Sequence, residues 1–326
     1  MNVGVFFPSL SFKIINKDLI QVGIDNLKKL GCNVILAENC FESFYTSKIA
    51  GELDRRVKIL ENMLNDDNID IIMAGIGGYG SIQLLDKINF SSIKKSKKII
   101  GFSDVTHLLI PLFNTKKLDV YLGPAFINFC NPYVDNKTIE CFKSIVLDEC
   151  NEYKYEQPKY FCEDDWFIDT SKKLEEKVCK SYSFIKPGIV RGKCIGGNLP
   201  SMLDLFGTKF YPRVNKKTIL FIEVVSADSV EVIMDQFYKL KLTGVLNKIG
   251  ALVIGKISGQ NIFANEEIFV KFLKELLKEY NIPVIIGTMF THLDPLFTLQ
   301  FGSTLEINSQ EKIIKMIKRR KKIEKK

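Results

Sequence analysis

Histidine is scarce in this 326-residue chain: His107 and His292 are the whole supply, beside a single tryptophan, Trp166. Any imidazole chemistry therefore falls to one of two rings. There is no HExxH element and no clustered Cys/His spacing, which argues against a zinc enzyme. The eight cysteines are scattered without a CxxC pair, so neither a zinc ribbon nor a disulfide framework is expected, and a reducing cytoplasm suits them. No apolar run approaches the ~20 residues that cross a bilayer. The opening MNVGVFFPSLSF lacks a basic leader and a small-residue cleavage site, and it reads as a first strand.

Net charge is also missing from most of the chain. Residues 312–326 carry nine Lys/Arg and one Glu, and they account for the whole formal +8, leaving 37 basic and 37 acidic residues elsewhere. Such a tail can bind an anionic surface, but its plainer reading is a frayed, solvated helix end. No nucleic-acid partner and no membrane insertion are expected.

What is present is alternation. NVGVFFPS, NVILAE, IDIIMAG and KKIIGFS read as buried strands, separated by helical stretches such as KDLIQVGIDNLKKLG and ELDRRVKILENMLND. That order predicts an α/β fold with a Rossmann-like parallel sheet in the N-terminal domain, residues 1–165. Around residues 131–185 the pattern weakens, as in a linker or lid. Short strands then return (TILFIEVV, GALVIGKI, IPVIIGT) and predict a smaller, β-rich C-terminal domain over 166–311, followed by the basic tail.

Two turns carry the candidate chemistry. GIGGYG, Gly75 to Gly80, formally matches GxGxxG, but it follows about the third strand, and the acidic ribose partner expected ~20 residues on falls in the basic IKKSKKII. It reads better as a glycine turn that brings backbone N–H groups to a ligand or oxyanion, or as a tight turn with no ligand. GFSDVT, Gly101 to Thr106, lies between a strand and a helix. A serine there stands at the carboxyl edge of the sheet, with the electropositive helix start beside it. The full GxSxG elbow is absent because Val105 holds the last glycine position, and Ser103 or Asp104 also suits a helix N-cap. His107 fits an amphipathic helix. His292 lies in a loop after an apolar strand, a good place for a general base. Glu223 ends a run of buried-type residues, where it either orients an imidazole or faces solvent from an edge strand.

Taken in order, IMAGIGGYGSIQLLDKI, KKIIGFSDVTHLL, YLGPAF, GKCIGGNL, ILFIEVV, LKLTGVLNKIGALVIGKISG and PVIIGTMFTHLDPLFTLQFG resemble the serine peptidases that include muramoyl-tetrapeptide LD-carboxypeptidases and microcin C immunity peptidases. The resemblance implies a Ser-His-Glu triad of Ser103, His292 and Glu223 assembled across two domains. It also implies an oxyanion hole from the N–H groups of Gly78 and Asp104, no cofactor, and a homodimer. Substrate contacts are expected from Gly77, Tyr79 and Trp166, the last on a loop, CEDDWFID, where its ring either stacks on a nucleobase or plugs the loop as a hydrophobic anchor. Ile76 stands where the carboxypeptidase branch carries Arg, which leans toward the immunity branch, as do HLDP and GPAF. Thr291, Gln300 and Val224 depart from the usual pattern without removing a triad member. The substrate expected is a small peptide or an aminoacyl-nucleotide-like compound. The alternative is a non-catalytic nucleotide-binding module that cradles phosphate with GIGGYG.

Overall fold

The computed structural model describes residues 1–163, 175–225, 228–257 and 262–318. Five strands run parallel in the first sheet, in the spatial order Asn33–Leu36, Asn2–Phe6, Ile71–Ala74, Lys98–Gly101 and Asp119–Leu122. Four of them are buried almost throughout, as helices on both faces leave no wet side to alternate toward, while the edge strand Asn33–Leu36 stays partly exposed. The helix Lys17–Lys29 begins at Asn16, whose side chain accepts from the Asp18 N–H. It buries Leu19, Ile20, Gly23 and Leu27, and the chain turns away at Gly31, which takes a φ of 80° that glycine adopts without penalty.

The second half departs from expectation. Its sheet has eight strands against six in the first, and four of them, Ile189–Asn198, Thr218–Glu223, Ala251–Gly255 and Val284–Thr288, are parallel neighbours. Helices Leu199–Leu205, Val230–Leu242 and Glu266–Leu276 connect them. This is a second α/β unit, neither smaller nor β-rich. Its helices carry the signal in their spacing: Ile233, Gln236, Phe237 and Leu240 form one buried stripe at helical period.

The sheets exchange strands across the expected boundary. Glu152–Lys154 joins the second sheet, and Leu299–Gln300 lies antiparallel to Asp119–Leu122 at the edge of the first. The stretch read as linker holds a helix, Asn136–Phe142, and a strand, Tyr160–Glu163, which pairs with Lys177–Val178 and Leu293–Asp294. The second of these partners lies about 130 residues away, so no local periodicity reveals it. The basic tail likewise begins as a strand rather than a helix end. Ile313–Ile317 pairs with Thr304–Asn308 and buries Ile314 and Met316 on one face, the period-2 pattern of a strand.

Candidate active site

Ser103 stands just beyond one strand of the first sheet, with the turn that follows a second strand lying against it. The strand Lys98–Gly101 ends at Gly101, and one residue later the chain enters a helical turn at Ser103–Val105 before the helix Thr106–Asn114. Ser103 takes a φ of 60°. For a residue with a side chain that conformation costs about 1–3 kcal/mol and persists only where the surroundings impose it. The bend lies in the serine itself. Gly101 serves a different need, since a Cβ there would lie 3.0 Å from both the Ala74 and Val105 side chains.

The glycine turn lies against this serine. A Cβ on Gly77 would stand 2.9 Å from Ser103 Cβ and 3.1 Å from its Oγ, with the Asp104 nitrogen at 3.7 Å. Gly78 has a φ of 109° and Gly80 of 107°, conformations that favour glycine. Tyr79, between them, is 77% exposed. The Asp104 N–H belongs to the first turn of a helix, where backbone donors lack intrahelical acceptors.

Glu223 and His292 meet from the second sheet. Glu223 is the last residue of Thr218–Glu223, a central strand, and is buried rather than facing solvent from an edge. His292 follows Val284–Thr288, and its Nδ1 is paired directly with Glu223 Oε1. Burial pushes the His292 pKa down to about 4, while the adjacent carboxylate acts in the opposite sense. The ring packs on Phe102, the residue preceding Ser103, with centroids 4.9 Å apart. Thr291 anchors the same loop by donating its hydroxyl to the Lys256 carbonyl at 2.7 Å. Gln300 accepts from Ser303 Oγ at 2.8 Å and donates to the Tyr121 hydroxyl at 3.3 Å. Both departures from the family pattern therefore have structural work of their own. Trp166 lies outside the described residues.

Two features of the site escaped sequence reasoning. Asn198 pairs in register with Glu223, and its Oδ1 accepts from Ser201 N–H and Oγ at 3.2 and 2.8 Å. His107 is not merely one face of an amphipathic helix. It is buried, with Nδ1 3.0 Å from Asp104 Oδ1 and Nε2 3.2 Å from Asp204 Oδ2. The i, i+3 spacing of Asp104 and His107 was the available signal. Among the described residues, no group of three or more His, Cys, Asp or Glu side chains is placed to hold a metal, and no helix is long and apolar enough to cross a membrane.

A hydroxyl forced out at a strand-to-helix turn beneath a glycine turn, with a buried carboxylate–imidazole pair across the seam, belongs to serine-type hydrolases. The comparisons narrow that class. Residues 3–123 match the model of the LD-carboxypeptidase N-terminal domain and residues 191–307 that of its C-terminal domain, so the chain belongs to the LD-carboxypeptidase family. It is 29% identical over 322 residues to the microcin C7 self-immunity protein MccF of Escherichia coli, covering 96% of this chain and 92% of the relative. A Bacillus subtilis relative named "Probable murein peptide carboxypeptidase" is 25% identical over 271 residues, 81% of this chain and 76% of its own. The structure of MccF in complex with glutamyl sulfamoyl guanosine superimposes with a TM-score of 0.88 at 26% identity, covering 98% of this chain and 96% of that one. MccF has also been solved with aspartyl sulfamoyl adenosine and as an active-site mutant altered at a serine, an asparagine and a lysine.

Proposed function

We propose that the chain hydrolyses an amide bond by acyl transfer through Ser103, with a small aminoacyl- or peptidyl-nucleotide-like compound as substrate. The reading rests on one observation: the Glu223–His292 pair stands against Phe102, next to a serine held in a strained backbone conformation. His292 accepts the hydroxyl proton as Ser103 attacks the carbonyl carbon, and Glu223 fixes the ring so that Nε2 faces the serine. The negative charge on the tetrahedral carbonyl oxygen is received by the N–H groups of Gly78 and Asp104. His292 then returns the proton to the leaving amine, and water, activated by the same ring, hydrolyses the acyl-enzyme.

Gly77 and Tyr79 border the substrate in this reading, and the resemblance assigns contact with its base to Trp166. The sulfamoyl nucleotides bound by MccF support the substrate class, as does Ile76 where the carboxypeptidase branch has Arg. A second reading, release of the terminal residue from a murein tetrapeptide, is favoured by the family model and the Bacillus subtilis relative. The protein is taken as a cytoplasmic homodimer; sedimentation of the purified chain tests the dimer.

Purified protein incubated with aspartyl sulfamoyl adenosine, and separately with a murein tetrapeptide, is followed by mass spectrometry. Release of free aspartate and sulfamoyl adenosine, absent in Ser103→Ala, is the expected result. Cleavage of the tetrapeptide alone selects the second reading, and inertness toward both removes the substrate assignment.

A further inference from the structure

Two buried charges near Ser103 have no part in the proton relay. Arg56, on the helix Leu53–Asn65, is 2% exposed, and Asp104 is 6% exposed. Arg56 Nη1 donates to the carbonyls of Pro8 at 2.7 Å and Gly80 at 3.1 Å, and Nη2 donates to Gln83 Oε1 at 2.7 Å. Asp104 Oδ2 accepts from the hydroxyl of Ser9 at 2.5 Å and the N–H of Ser81 at 3.0 Å. The two charges thus grip the same two loops, one residue apart on each: Pro8 and Ser9 after the first strand, Gly80 and Ser81 after the third.

Those loops carry the glycine turn. The Leu10 N–H donates to the Gly77 carbonyl at 3.3 Å, and the Leu10 side chain fills the space where a Cβ on Gly78 would sit. Displacing residues 8–10 therefore displaces Gly77 and Gly78. The peptide that follows the Asp104 N–H is held from the other side, because the Asp104 carbonyl accepts from Ser81 Oγ at 2.6 Å and lies 2.9 Å from His107 Nδ1. His107 itself reaches Asp204 through Nε2. Burying charge is costly unless every bond is made, and neutral side chains would suffice merely to close these loops. Charge-assisted bonds are shorter and stiffer, which is what a pair of oxyanion donors needs, since their placement must be right to a fraction of an ångström.

We infer that Arg56 and Asp104, the latter held by His107, are positioning residues that fix the separation between the Gly78 and Asp104 N–H groups. The inference rests on the reading of Ser103 as nucleophile. Neither side chain touches the reacting atoms, and their effect belongs to the transition state rather than to ground-state binding.

The test uses the full chain and a fluorophosphonate probe, with Ser103 labelling followed by intact-mass analysis and resolved into kinact and KI. The wild type is expected to be labelled at Ser103. Asp104→Asn and His107→Ala are expected to lower kinact by about tenfold or more, with KI within about twofold, as lost oxyanion donation predicts. His107→Asn, which keeps a donor toward Asp104, is expected to recover most of the rate. Circular dichroism and a cooperative melt establish that each variant folds. Should Asp104→Asn fail to fold, Ser9→Ala removes one of its two Oδ2 donors, and a reduced kinact is expected there too. Wild-type kinact in the folded variants, or a change confined to KI, overturns the inference while leaving Ser103 as nucleophile. Absence of labelling in the wild type overturns the nucleophile reading, and this inference falls with it.

Discussion

Asn198 stands opposite Glu223 in the parallel pairing of the second sheet, and its buried amide nitrogen finds no acceptor among the described residues. Its oxygen is already committed to Ser201, as the cap of the helix Leu199–Leu205. A buried amide donor beside the carboxylate that holds His292 is placed to meet a substrate acceptor, and two variants test that role. Asn198→Ala should lower stability by about 1 kcal/mol through the lost cap and lower kcat/KM by at least about tenfold. Asn198→Ser, a competent cap without the amide, should keep the stability and still lose the activity. Urea denaturation beside steady-state kinetics separates the two effects.

Glu223→Gln should leave the melting temperature unchanged or raise it, because a buried carboxylate gives way to a neutral group of the same shape. Turnover should fall by about 10²–10⁴, since the amide cannot stabilise the imidazolium. His292→Ala should lose at least as much. A glutamine variant with wild-type turnover removes Glu223 from the mechanism.

The space above Ser103 gives a sharper steric test. Gly77→Ala places a methyl 3.1 Å from Ser103 Oγ, so the hydroxyl must shift or the turn must lift. A cost of about 1–3 kcal/mol in stability is expected, together with at least about tenfold slower labelling of Ser103 by an acylating probe. Unaltered labelling would place the substrate on another side of the serine.

Stability should depend on pH through His107 and Asp104. Burial favours the neutral forms of both, but it is outweighed: Asp104 and Asp204 raise His107, while His107, Ser9 and Ser81 lower Asp104. A raised histidine contributes stability that is complete below its ordinary value of 6.5 and is lost as pH rises through its folded value. A depressed aspartate contributes above its ordinary value of 3.8 and is lost as pH falls through its lower folded value. The pair is therefore most stabilising between these two ordinary values. Melts taken across pH 5 to 9 should fall toward the alkaline end, and His107→Asn should flatten that slope. An identical slope in the variant would assign it to other groups.

The last described strand is predicted to matter for folding in spite of its charge. A chain ending at residue 318 should unfold like the full protein in urea. One ending at residue 311 loses the strand Ile313–Ile317 with Ile314 and Met316, both 1% exposed. At about 1.5–3 kcal/mol for each buried side chain, that truncation should be strongly destabilised. Equal unfolding midpoints would contradict the burial.

The first sheet was legible in the sequence because its strands and helices are local, periodic and consecutive. The glycine turn and the serine turn were legible for the same reason, each lying at the end of an apolar run. The helices of the second half were less so, although Ile233, Phe237 and Leu240 carry a readable stripe. Tyr160–Glu163 meets Leu293–Asp294 from far along the chain, whereas Ile313–Ile317 folds back on Thr304–Asn308 as a hairpin whose alternating apolar residues are hidden in the sequence by the lysines around them. The sequence by itself determined which side chains were available: two imidazoles, one serine on a turn, one acidic residue ending a buried strand. Only the tertiary structure decided which of them meet. It paired His292 with Glu223 and brought Asp204 to His107, because a parallel sheet gathers the ends of strands that the chain visits far apart, and no local pattern encodes those meetings.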